Sequence, residues 1–440
     1  MGIVRDVAVA VQALLNEIAE NVAKECDVIK RRRKFSASTL AQTFVLGFLQ
    51  SPNASDEDLA QMAGTLGVQV TAQAVEQRYS PELTAFLEGV FRRAIGTVVQ
   101  SQMMLAPILD RFTDILLLDS TTFTLPAELA ERFAGCGGSF GAGKAAVKFQ
   151  VQFSLKTGAL DTIQIEPGRD CDQKTSLQDA PLPSGTLRIA DLGYFDTEVF
   201  ERFGKEGVYW LSRLLWGIST YSVNGERLEL MKWLSAKGTL VDDTILVGAK
   251  RRIKCRIIGW RIPPEVANRR RQKVIDEHSR KGRTPSAERL AWCDWMVLVT
   301  NVPVEMLSPE EACVLYRSRW QIELVFKRWK SQGMIADLQG STVNRKMAKM
   351  WARLLAVIVQ HWLLLTTVWG ERTKSLSKAC DAIRKFALLL AVGINDAAAV
   401  RTTIELIVQV THSTVKTNKR KIPSTFELLN NAEILEYSLT

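Results

Sequence analysis

Apolar residues recur at helical spacing through the first hundred positions of the chain. Ser55 precedes three acidic residues, and Leu59 and Met62 follow one turn apart, which predicts a capped helix. Gly67 interrupts this pattern, and a second short helix is predicted over 71–78. Helix, glycine turn and helix outline a helix-turn-helix DNA-binding unit, and two helices that simply pack together are the alternative. The basic run at 31–34 favours a DNA-binding region.

Strand patterns begin after residue 107. The run 114–119 is apolar between two acids, as in a strand that is covered on both faces, and we expect the strand to end on the second acid. A period-two segment at 147–155 and a returning segment at 160–165 flank a glycine turn, which predicts a hairpin. Residues 186–191 form another apolar strand that ends on an acid, and a helix and a strand follow. This order predicts a mixed α/β architecture.

The second half of the chain returns from strands to helices. Residues 295–300 predict one more strand, and a capped turn at 308–311 leads into a single long helix through residue 332. Five regions follow from these patterns. They are a helical N-terminal region at 1–106, the first part of an α/β core at 107–213, a β-rich basic insertion at 214–294, the second part of the core at 295–336 and a helical C-terminal region at 337–440.

One apolar segment, 354–369, is a candidate for membrane insertion. It is shorter than the roughly 20 residues that a membrane-spanning helix needs, and Gln360 and His361 lie in its middle. We therefore expect a buried helix within a helical layer and no membrane partner.

The distribution of charge along the chain is more informative than the overall composition. The chain has 440 residues, of which 47% are hydrophobic and 24% charged, a balance that excludes global disorder. Its net charge of +10 is local, because the window from Lys250 to Arg283 contains 13 basic and 3 acidic residues. Such a window favours a polyanionic partner, and an exposed region kept soluble by charge is the alternative. Seven cysteines without a C-x-x-C pair indicate reduced thiols and a cytoplasmic protein.

Several polar side chains share one face of the long predicted helix. Tyr316, Arg319, Glu323 and Lys330 fall within an arc of roughly 60°, and Lys327 lies within roughly 20° of Tyr316. The neighbouring arc is apolar, so the helix packs on a core and presents a tyrosine, a carboxylate and three cations at its margin. A helix edge with ordinary salt bridges is the alternative.

Two strand acids complete the candidate site. Asp119 and Asp191 each end a predicted strand, where ligand sites of open α/β sheets form, and capping of the following turn is the alternative role. Three carboxylates from two strands and a helix can form an oxygen-lined Mg²⁺ site. Two such ions, about 4 Å apart, stabilise the attacking and the leaving oxygen of a displacement at phosphorus. With cations beside them to hold a phosphodiester backbone, the acids predict DNA cleavage.

The motifs resemble those of a known family. The string Y-x2-R-x3-E-x6-K that begins at Tyr316 resembles the YREK signature of bacterial insertion-sequence DDE transposases, in their hairpin-forming cut-and-paste branch. The tripeptide at 119–121 is similar to that family's DST-type motif, and residues 191–195 resemble its D-x-G-[YF] motif. The order of elements over about 107–336 resembles the family's RNase H-like core, a mixed sheet with flanking helices that a β-rich insertion interrupts.

The resemblance implies a role for each matching residue. The catalytic residues and ligands of two Mg²⁺ ions, for which Mn²⁺ substitutes, would be Asp119, Asp191 and Glu323. The side chains that contact DNA phosphates near the cleaved end would be Tyr316, Arg319 and Lys330, with Lys327 as a helper. In the family a tryptophan at the end of the insertion stacks on a flipped base, and Trp295 occupies the matching place. Because Trp295 also opens an apolar strand, packing in the core is the alternative.

The resemblance also implies partners and a location. They are double-stranded DNA, as element ends and as target, a second copy of the chain in the assembled complex, and the bacterial cytoplasm. Two other functions stay open. A catalytically inactive or repurposed relative would bind DNA without cutting it, and an RNase H-like nuclease would explain the acids but leave Tyr316 and Lys330 without a role.

Overall fold

The computed structural model describes most of the chain. The described residues are 2–29, 34–104, 106–137, 143–331, 333–335, 337–338, 340–367, 369, 371, 374–416 and 423–434. Three members of the predicted basic run, residues 31–33, lie outside them.

The α-helices are numbered in chain order. They are α1 (Gly2–Ala13), α2 (Ala19–Cys26), α3 (Ala37–Gln50), α4 (Asp56–Thr65), α5 (Ala72–Glu76), α6 (Pro81–Ile95), α7 (Pro107–Asp110), α8 (Thr197–Lys205), α9 (Leu230–Lys237), α10 (Pro264–Ser279), α11 (Ala287–Ala291), α12 (Pro309–Ser318), α13 (Trp320–Ser331), α14 (Val343–Leu365), α15 (Leu376–Lys385), α16 (Ala387–Gly393), α17 (Ala397–Thr414) and α18 (Thr425–Asn430). A short π-helical turn, Leu14–Ile18, joins α1 to α2.

The strands are numbered in the same way. They are β1 (Ile115–Leu125), β2 (Ala145–Ser154), β3 (Leu160–Pro167), β4 (Leu187–Ala190), β5 (Tyr209–Arg213), β6 (Thr220–Tyr221), β7 (Leu240–Val247), β8 (Ile253–Arg261) and β9 (Trp295–Thr300).

The chain forms two compact units. The helical unit comprises Met1–Met104, Ser120–Asp170 and Ile322–Lys419, and the sheet unit comprises Leu105–Asp119, Cys171–Gln321 and Arg420–Thr440. Strand β1 begins in the sheet unit and its second half belongs to the helical unit.

Helix α14 forms the core of the helical unit. It packs against α3 and α6, and it is long and apolar enough to cross a membrane, although 94% of its most apolar window is buried inside the protein. Its two central polar side chains are satisfied internally, because Gln360 Nε2 donates to Cys380 O at 3.3 Å and His361 Nε2 to Gly158 O at 2.8 Å. The predicted buried helix is therefore confirmed, with bounds of 343–365.

The predicted pair of N-terminal helices is also confirmed. Ser55 and Asp58 form a capping box at the start of α4, Gly67 adopts a positive φ of 81° at the turn, and the Thr71 hydroxyl accepts a hydrogen bond from Ala74 N at the start of α5. Gly67 suits this position because glycine adopts positive φ without steric cost.

The sheet unit contains seven strands in the order β1-β4-β5-β9-β8-β7-β6. The neighbours β1, β4 and β5 are parallel, and the remaining pairs are antiparallel. In the helical unit, β2 and β3 form the predicted antiparallel hairpin. A large mixed sheet with flanking helices confirms the mixed α/β class.

The strands of the predicted insertion extend this sheet. Residues 240–247 and 253–261 form β7 and β8, and β8 pairs with β9 along the full length of β9. Because residues 255–260 are buried on both faces, β8 requires a neighbour on each side to satisfy its backbone groups. Part of the basic window forms α10, in which Arg269 and Lys273 are exposed and Arg270 and Arg271 are half-buried.

Candidate active site

Asp119 lies within β1 and not at its end. The strand pairs in parallel with β4 as far as Leu118, and it then continues to Leu125 with buried and exposed positions alternating from Thr121. The expectation that the strand ends at Asp119 is therefore wrong. The apolar run ends at Asp119 because the surroundings of the strand change there, while the strand itself continues. Asp119 is half-buried at this transition.

Asp191 stands directly after β4, as predicted for a strand-end acid. Its carbonyl oxygen accepts a hydrogen bond from Tyr194 N at 3.0 Å, which forms a short 3-10 turn. The half-buried Asp191 carboxylate makes no capping hydrogen bond to this described turn. The structure therefore does not support the capping alternative for this side chain.

The structure pairs Asp119 with Arg319. Arg319 Nη1 donates to Asp119 Oδ2 at 2.8 Å, and the two side chains are only 18% and 16% exposed. Both residues belong to the sheet unit. Helix α12, which leads to Arg319, is anchored at its other end, because Arg111 donates to both carboxylate oxygens of Glu311 at 2.6 and 2.7 Å.

Arg319 interrupts the single long helix that the sequence predicts. Helix α12 ends at Ser318 and α13 begins at Trp320, with Arg319 between them at φ −50° and ψ −32°. The Ser318 hydroxyl donates to Leu315 O at 2.6 Å, and Arg319 N bonds to Tyr316 O in a tighter i→i+3 pattern. A serine hydroxyl that competes for a helix carbonyl is a known cause of such irregularity.

The pKa of the Tyr316 hydroxyl is affected by burial and by three nearby charged side chains. The ring is 7% exposed, and burial raises the pKa of its hydroxyl to about 12. The cations Arg319 and Arg213 oppose this rise in pKa, and the Asp191 carboxylate adds to it. The hydroxyl is therefore protonated at neutral pH and able to donate a hydrogen bond.

Two arginines of the sheet unit, Arg213 and Arg270, also carry charge near Tyr316 or near one another, and no sequence motif predicts them there. Arg213, the last residue of β5, is half-buried, and no carboxylate of the described residues pairs with it. It and Asp191 each follow the parallel pair Ile189–Leu211 by two residues. Arg270 donates to Trp295 O at 3.2 Å. Burial lowers the pKa of Arg270, and the charge of Arg213 lowers that pKa further.

A sequence signal exists for only one of the two. In the sequence, Arg213 could be recognised as a basic residue at the end of the strand that follows Asp191. Arg270 could be recognised only as one member of the basic window 250–283.

The remaining helix residues lie in α13, within the helical unit. Glu323 is half-buried, and Lys327 and Lys330 are exposed. Lys330 Nζ lies 5.8 Å from the centroid of the Phe123 ring, a distance at which a cation is attracted to the ring face.

Trp295 occupies the core position that was the alternative for it. It is 3% exposed, and it belongs to the apolar cluster that β5, β8 and α8 also build. The Arg261 guanidinium lies 5.9 Å from its ring centroid. An enclosed ring has no free face for a base.

The comparisons with known proteins agree with the motifs. Residues 110–359, more than half of the chain, match the family described as Transposase DDE domain. The chain belongs to the transposase DDE domain family. This membership confirms the prediction of an enzyme of the transposase class.

Curated relatives of this family are transposases of bacterial insertion sequences. The transposase for insertion sequence element IS231E of Bacillus thuringiensis subsp. finitimus is 27% identical over 83% of this chain and 80% of that protein. The transposase for IS231D of the same organism is 26% identical over 97% and 94%. The transposase for IS1151 of Clostridium perfringens is 25% identical over 80% and 79%.

The DDE transposase domain implies the use of a divalent metal. The donors of Asp119 and Asp191, both half-buried carboxylates of the sheet unit, fit Mg²⁺ in chemical type. In the described residues the Arg319 guanidinium, itself a cation, is bound to Asp119, and no group of three or more Asp, Glu, His or Cys residues is arranged to hold a metal ion.

Proposed function

We propose that this protein is the transposase of a bacterial insertion sequence and that it cleaves and rejoins DNA at the ends of that element. Membership of the DDE family supports the reaction class, and the names of the relatives support the type of element. The observation that carries the assignment of the site is the pairing of Arg319 with Asp119 in the unit that also contains Asp191 and Tyr316.

In this proposal Asp119, Asp191 and Glu323 hold two Mg²⁺ ions. When bound there, such ions would supply Lewis-acid chemistry that stabilises negative charge on phosphate oxygens. The protonated hydroxyl of Tyr316 donates a hydrogen bond to a phosphate oxygen. The fork of Arg319 matches two oxygens of one phosphate, so it moves from Asp119 to the DNA backbone when DNA enters.

Further cations of both units contribute to DNA binding in this proposal. Arg213 and Arg270 lie in the sheet unit. Arg213 is half-buried without a carboxylate partner among the residues that the structure describes, which supports a role in binding an anion. Lys327 and Lys330 extend the positive charge along α13. Phosphate contacts of this kind set affinity and register but do not read sequence.

The proposal also covers the route of transposition, the fold of the core and the roles of the two terminal regions. The Y-x2-R-x3-E-x6-K spacing supports a cut-and-paste route through a hairpin, and the parallel strands with their acids support an RNase H-like core. Residues 1–106 would recognise the element ends, residues 337–440 would contribute to a homodimer, and the protein would act in the cytoplasm. A denaturing gel of excised ends tests the route, because a covalently closed hairpin migrates differently from an open end.

The acids are tested on supercoiled plasmid that carries the inverted repeats flanking this reading frame. We expect Asp119→Asn, Asp191→Asn and Glu323→Gln each to abolish metal-dependent 3′ nicking, because each removes an anionic ligand. Asp179→Asn is the matched control, since Asp179 lies on the surface and pairs only with Arg202 among the described residues. Cleavage that persists in one variant would remove that residue from the site.

The same assay separates the catalytic function from its alternative. Tight binding of the inverted repeats by the wild-type chain, without cleavage in Mg²⁺ or Mn²⁺, would identify a repurposed DNA-binding relative.

A further inference from the structure

A short segment of the sheet unit, 172–178, packs against the turn that follows Asp191. The segment contains two 3-10 turns, Asp172–Lys174 and Ser176–Gln178, and the turn after Asp191 is Leu192–Tyr194. The turn 172–174 contacts the turn 192–194 directly. The proposed function assigns no role to this segment, so its contacts with the turn require their own explanation.

Two glutamine side chains of the segment donate hydrogen bonds to consecutive backbone carbonyls after Asp191. Gln178 Nε2 donates to Tyr194 O at 2.9 Å. Gln173 Nε2 donates to Phe195 O at 3.0 Å. The amide group of Tyr194 is bonded as well, because Tyr194 N donates to Asp191 O at 3.0 Å. Both backbone groups of Tyr194 are therefore fixed, and one of these bonds ends on Asp191 itself.

Close packing adds to these hydrogen bonds. A Cβ added at Gly193, in the middle of the turn, would lie 3.3 Å from Asp172 Oδ2, and glycine permits this approach. In addition, Arg188 of β4 is 3% exposed, and its Nη1 donates to Leu177 O at 3.5 Å. The strand that precedes Asp191 and the turn that follows it thus both contact the segment 172–178.

We propose that Gln173 and Gln178 are positioning residues that orient the Asp191 carboxylate for binding of a divalent metal ion. This inference rests on the proposed function, in which Asp191 is a metal ligand, and deepens it by naming residues that orient that ligand. Mg²⁺ requires nearly ideal octahedral geometry, so it tolerates little displacement of a ligand. Loss of a residue that orients a ligand typically costs about 10- to 100-fold in metal affinity or activity. General stabilisation of the fold is the alternative role for the two glutamines.

The test replaces each glutamine by methionine, which keeps the length of the side chain and removes its hydrogen-bond donor. Gln178 is 4% exposed, whereas Gln173 is exposed, so Gln173→Met leaves the core intact. Gln272→Met is the matched control, because Gln272 is an exposed glutamine of α10 that donates to Asp276 at 2.9 Å. Urea denaturation shows that each full-length variant is folded.

Two measurements are made on the full-length proteins without DNA. Amide hydrogen exchange in metal-free buffer, followed by mass spectrometry, reports opening of residues 191–196, and the electron paramagnetic resonance signal of free Mn²⁺ reports metal affinity. We expect Gln178→Met to speed exchange in 191–196 and to weaken Mn²⁺ binding about 10- to 100-fold. Gln173→Met should change both in the same direction by a smaller factor, and Gln272→Met should change neither.

Plasmid cleavage and DNA binding distinguish positioning from general destabilisation. The Mg²⁺ concentration for half-maximal 3′ nicking should rise in Gln173→Met and Gln178→Met by the factor by which Mn²⁺ binding weakens. The affinity of both variants for inverted-repeat DNA without metal should remain that of the wild type. A general loss of structure would lower this DNA affinity as well, and that result would contradict the positioning role.

Other results would also overturn the inference. Faster exchange with unchanged Mn²⁺ affinity would show that the glutamines stabilise the turn and do not position Asp191 for metal. Unchanged exchange in both variants would show that their hydrogen bonds do not hold the turn. A wild-type protein that neither binds Mn²⁺ nor cleaves DNA would contradict the proposed function itself, and the exchange data, collected without metal, keep this result separate from the other two.

Discussion

Two cations, the Arg319 guanidinium and a metal ion, compete for the Asp119 carboxylate in the proposed function. In the described structure it accepts a hydrogen bond from Arg319 at 2.8 Å, and in the proposed reaction it binds a metal ion. A carboxylate that is largely withdrawn from water needs such a partner, because an unpaired buried charge is costly. Arg319 therefore stabilises the DNA-free protein, and a DNA phosphate that draws Arg319 away would leave Asp119 available to metal. Binding of metal and binding of DNA should thus favour one another.

Removal of Arg319 tests this competition directly. We expect Arg319→Ala to tighten binding of Mn²⁺ to the DNA-free protein about tenfold, which corresponds to the lower end of the roughly 1.5–3 kcal/mol that a charge-assisted hydrogen bond contributes. The same variant should lose DNA cleavage. The electron paramagnetic resonance signal of free Mn²⁺ measures the binding.

The neighbouring arginine provides the control for that measurement. Arg317→Ala also removes a positive charge from the end of α12, but Arg317 makes no described contact with Asp119. Mn²⁺ binding that is equal in Arg319→Ala and wild type would show that Arg319 does not compete for the carboxylate.

The bounds of β9 and α12 show which features of single elements a local sequence pattern predicts correctly. The bounds of β9 are those predicted, 295–300, and the capping box of Ser308 and Glu311 starts α12 as expected, because strand periodicity and helix capping depend on near neighbours only. The predicted continuation of this helix through Arg319 was wrong. The hydrogen bond of the Ser318 hydroxyl interrupts the helix at one residue only. The apolar residues keep their helical spacing before and after it, so the hydrophobic pattern does not predict the interruption.

Helix α14 carries a prediction about pH. Burial, with a smaller contribution from Arg328, lowers the pKa of His361 from 6.5 to about 4, against a weaker effect of its hydrogen bond to Gly158. Between these values the unfolded chain binds a proton that the folded chain does not. The free energy of unfolding should therefore fall as the pH is lowered from about 6.5 to 4, by up to roughly 3 kcal/mol.

Urea denaturation at several pH values measures this dependence, and His361→Gln isolates it. The glutamine amide can donate to Gly158 O in place of the imidazole but does not titrate. The free energy of unfolding of the His361→Gln variant should vary less with pH than that of the wild type over this range. Parallel curves for the two proteins would show that His361 does not carry the effect.

At the scale of the whole molecule, the excess positive charge is only partly available to DNA. Three cations of the 250–283 window are already paired within the sheet unit. Arg251 pairs with Glu198 and Glu201, Arg256 with Asp242, and Arg271 with Asp294. Nine others are exposed, namely Lys250, Arg252, Lys254, Arg261, Arg269, Lys273, Arg280, Lys281 and Arg283. The window can therefore still supply the six phosphate contacts that its charge suggests.

The salt dependence of DNA binding measures these contacts. With about six phosphates contacted, affinity should fall about 10³-fold between 50 and 200 mM salt. Replacement of Arg269, Lys273, Arg280 and Lys281 by alanine should flatten the slope by about one unit per lost contact, whereas Arg251→Ala, which removes a paired cation, should not change it. A salt response of the wild type that is nearly flat would mean that the window does not bind DNA.

Local sequence patterns were sufficient to predict most helices and strands of this protein and its candidate chemistry. Helical and strand periods predicted the N-terminal helices, the β2–β3 hairpin, the strand before Asp191 and the buried α14, because each depends on contacts within a few residues or on one apolar face. The motifs with Asp119, Asp191 and Tyr316 to Lys330 indicated a DDE transposase, the family that the match over 110–359 confirms, since a motif is read along the chain without knowledge of the fold.

The tertiary structure alone decided which side chains meet and which are enclosed. It joined Arg319 to Asp119, 200 positions apart in the chain, placed Arg213 on the strand next to the one that Asp191 follows, and extended the sheet with the strands of the insertion. It also buried Trp295 and left Trp320 in solvent. Burial and ion pairing are set by segments distant in sequence, and the local hydrophobic pattern around a residue does not record which of those segments will cover it.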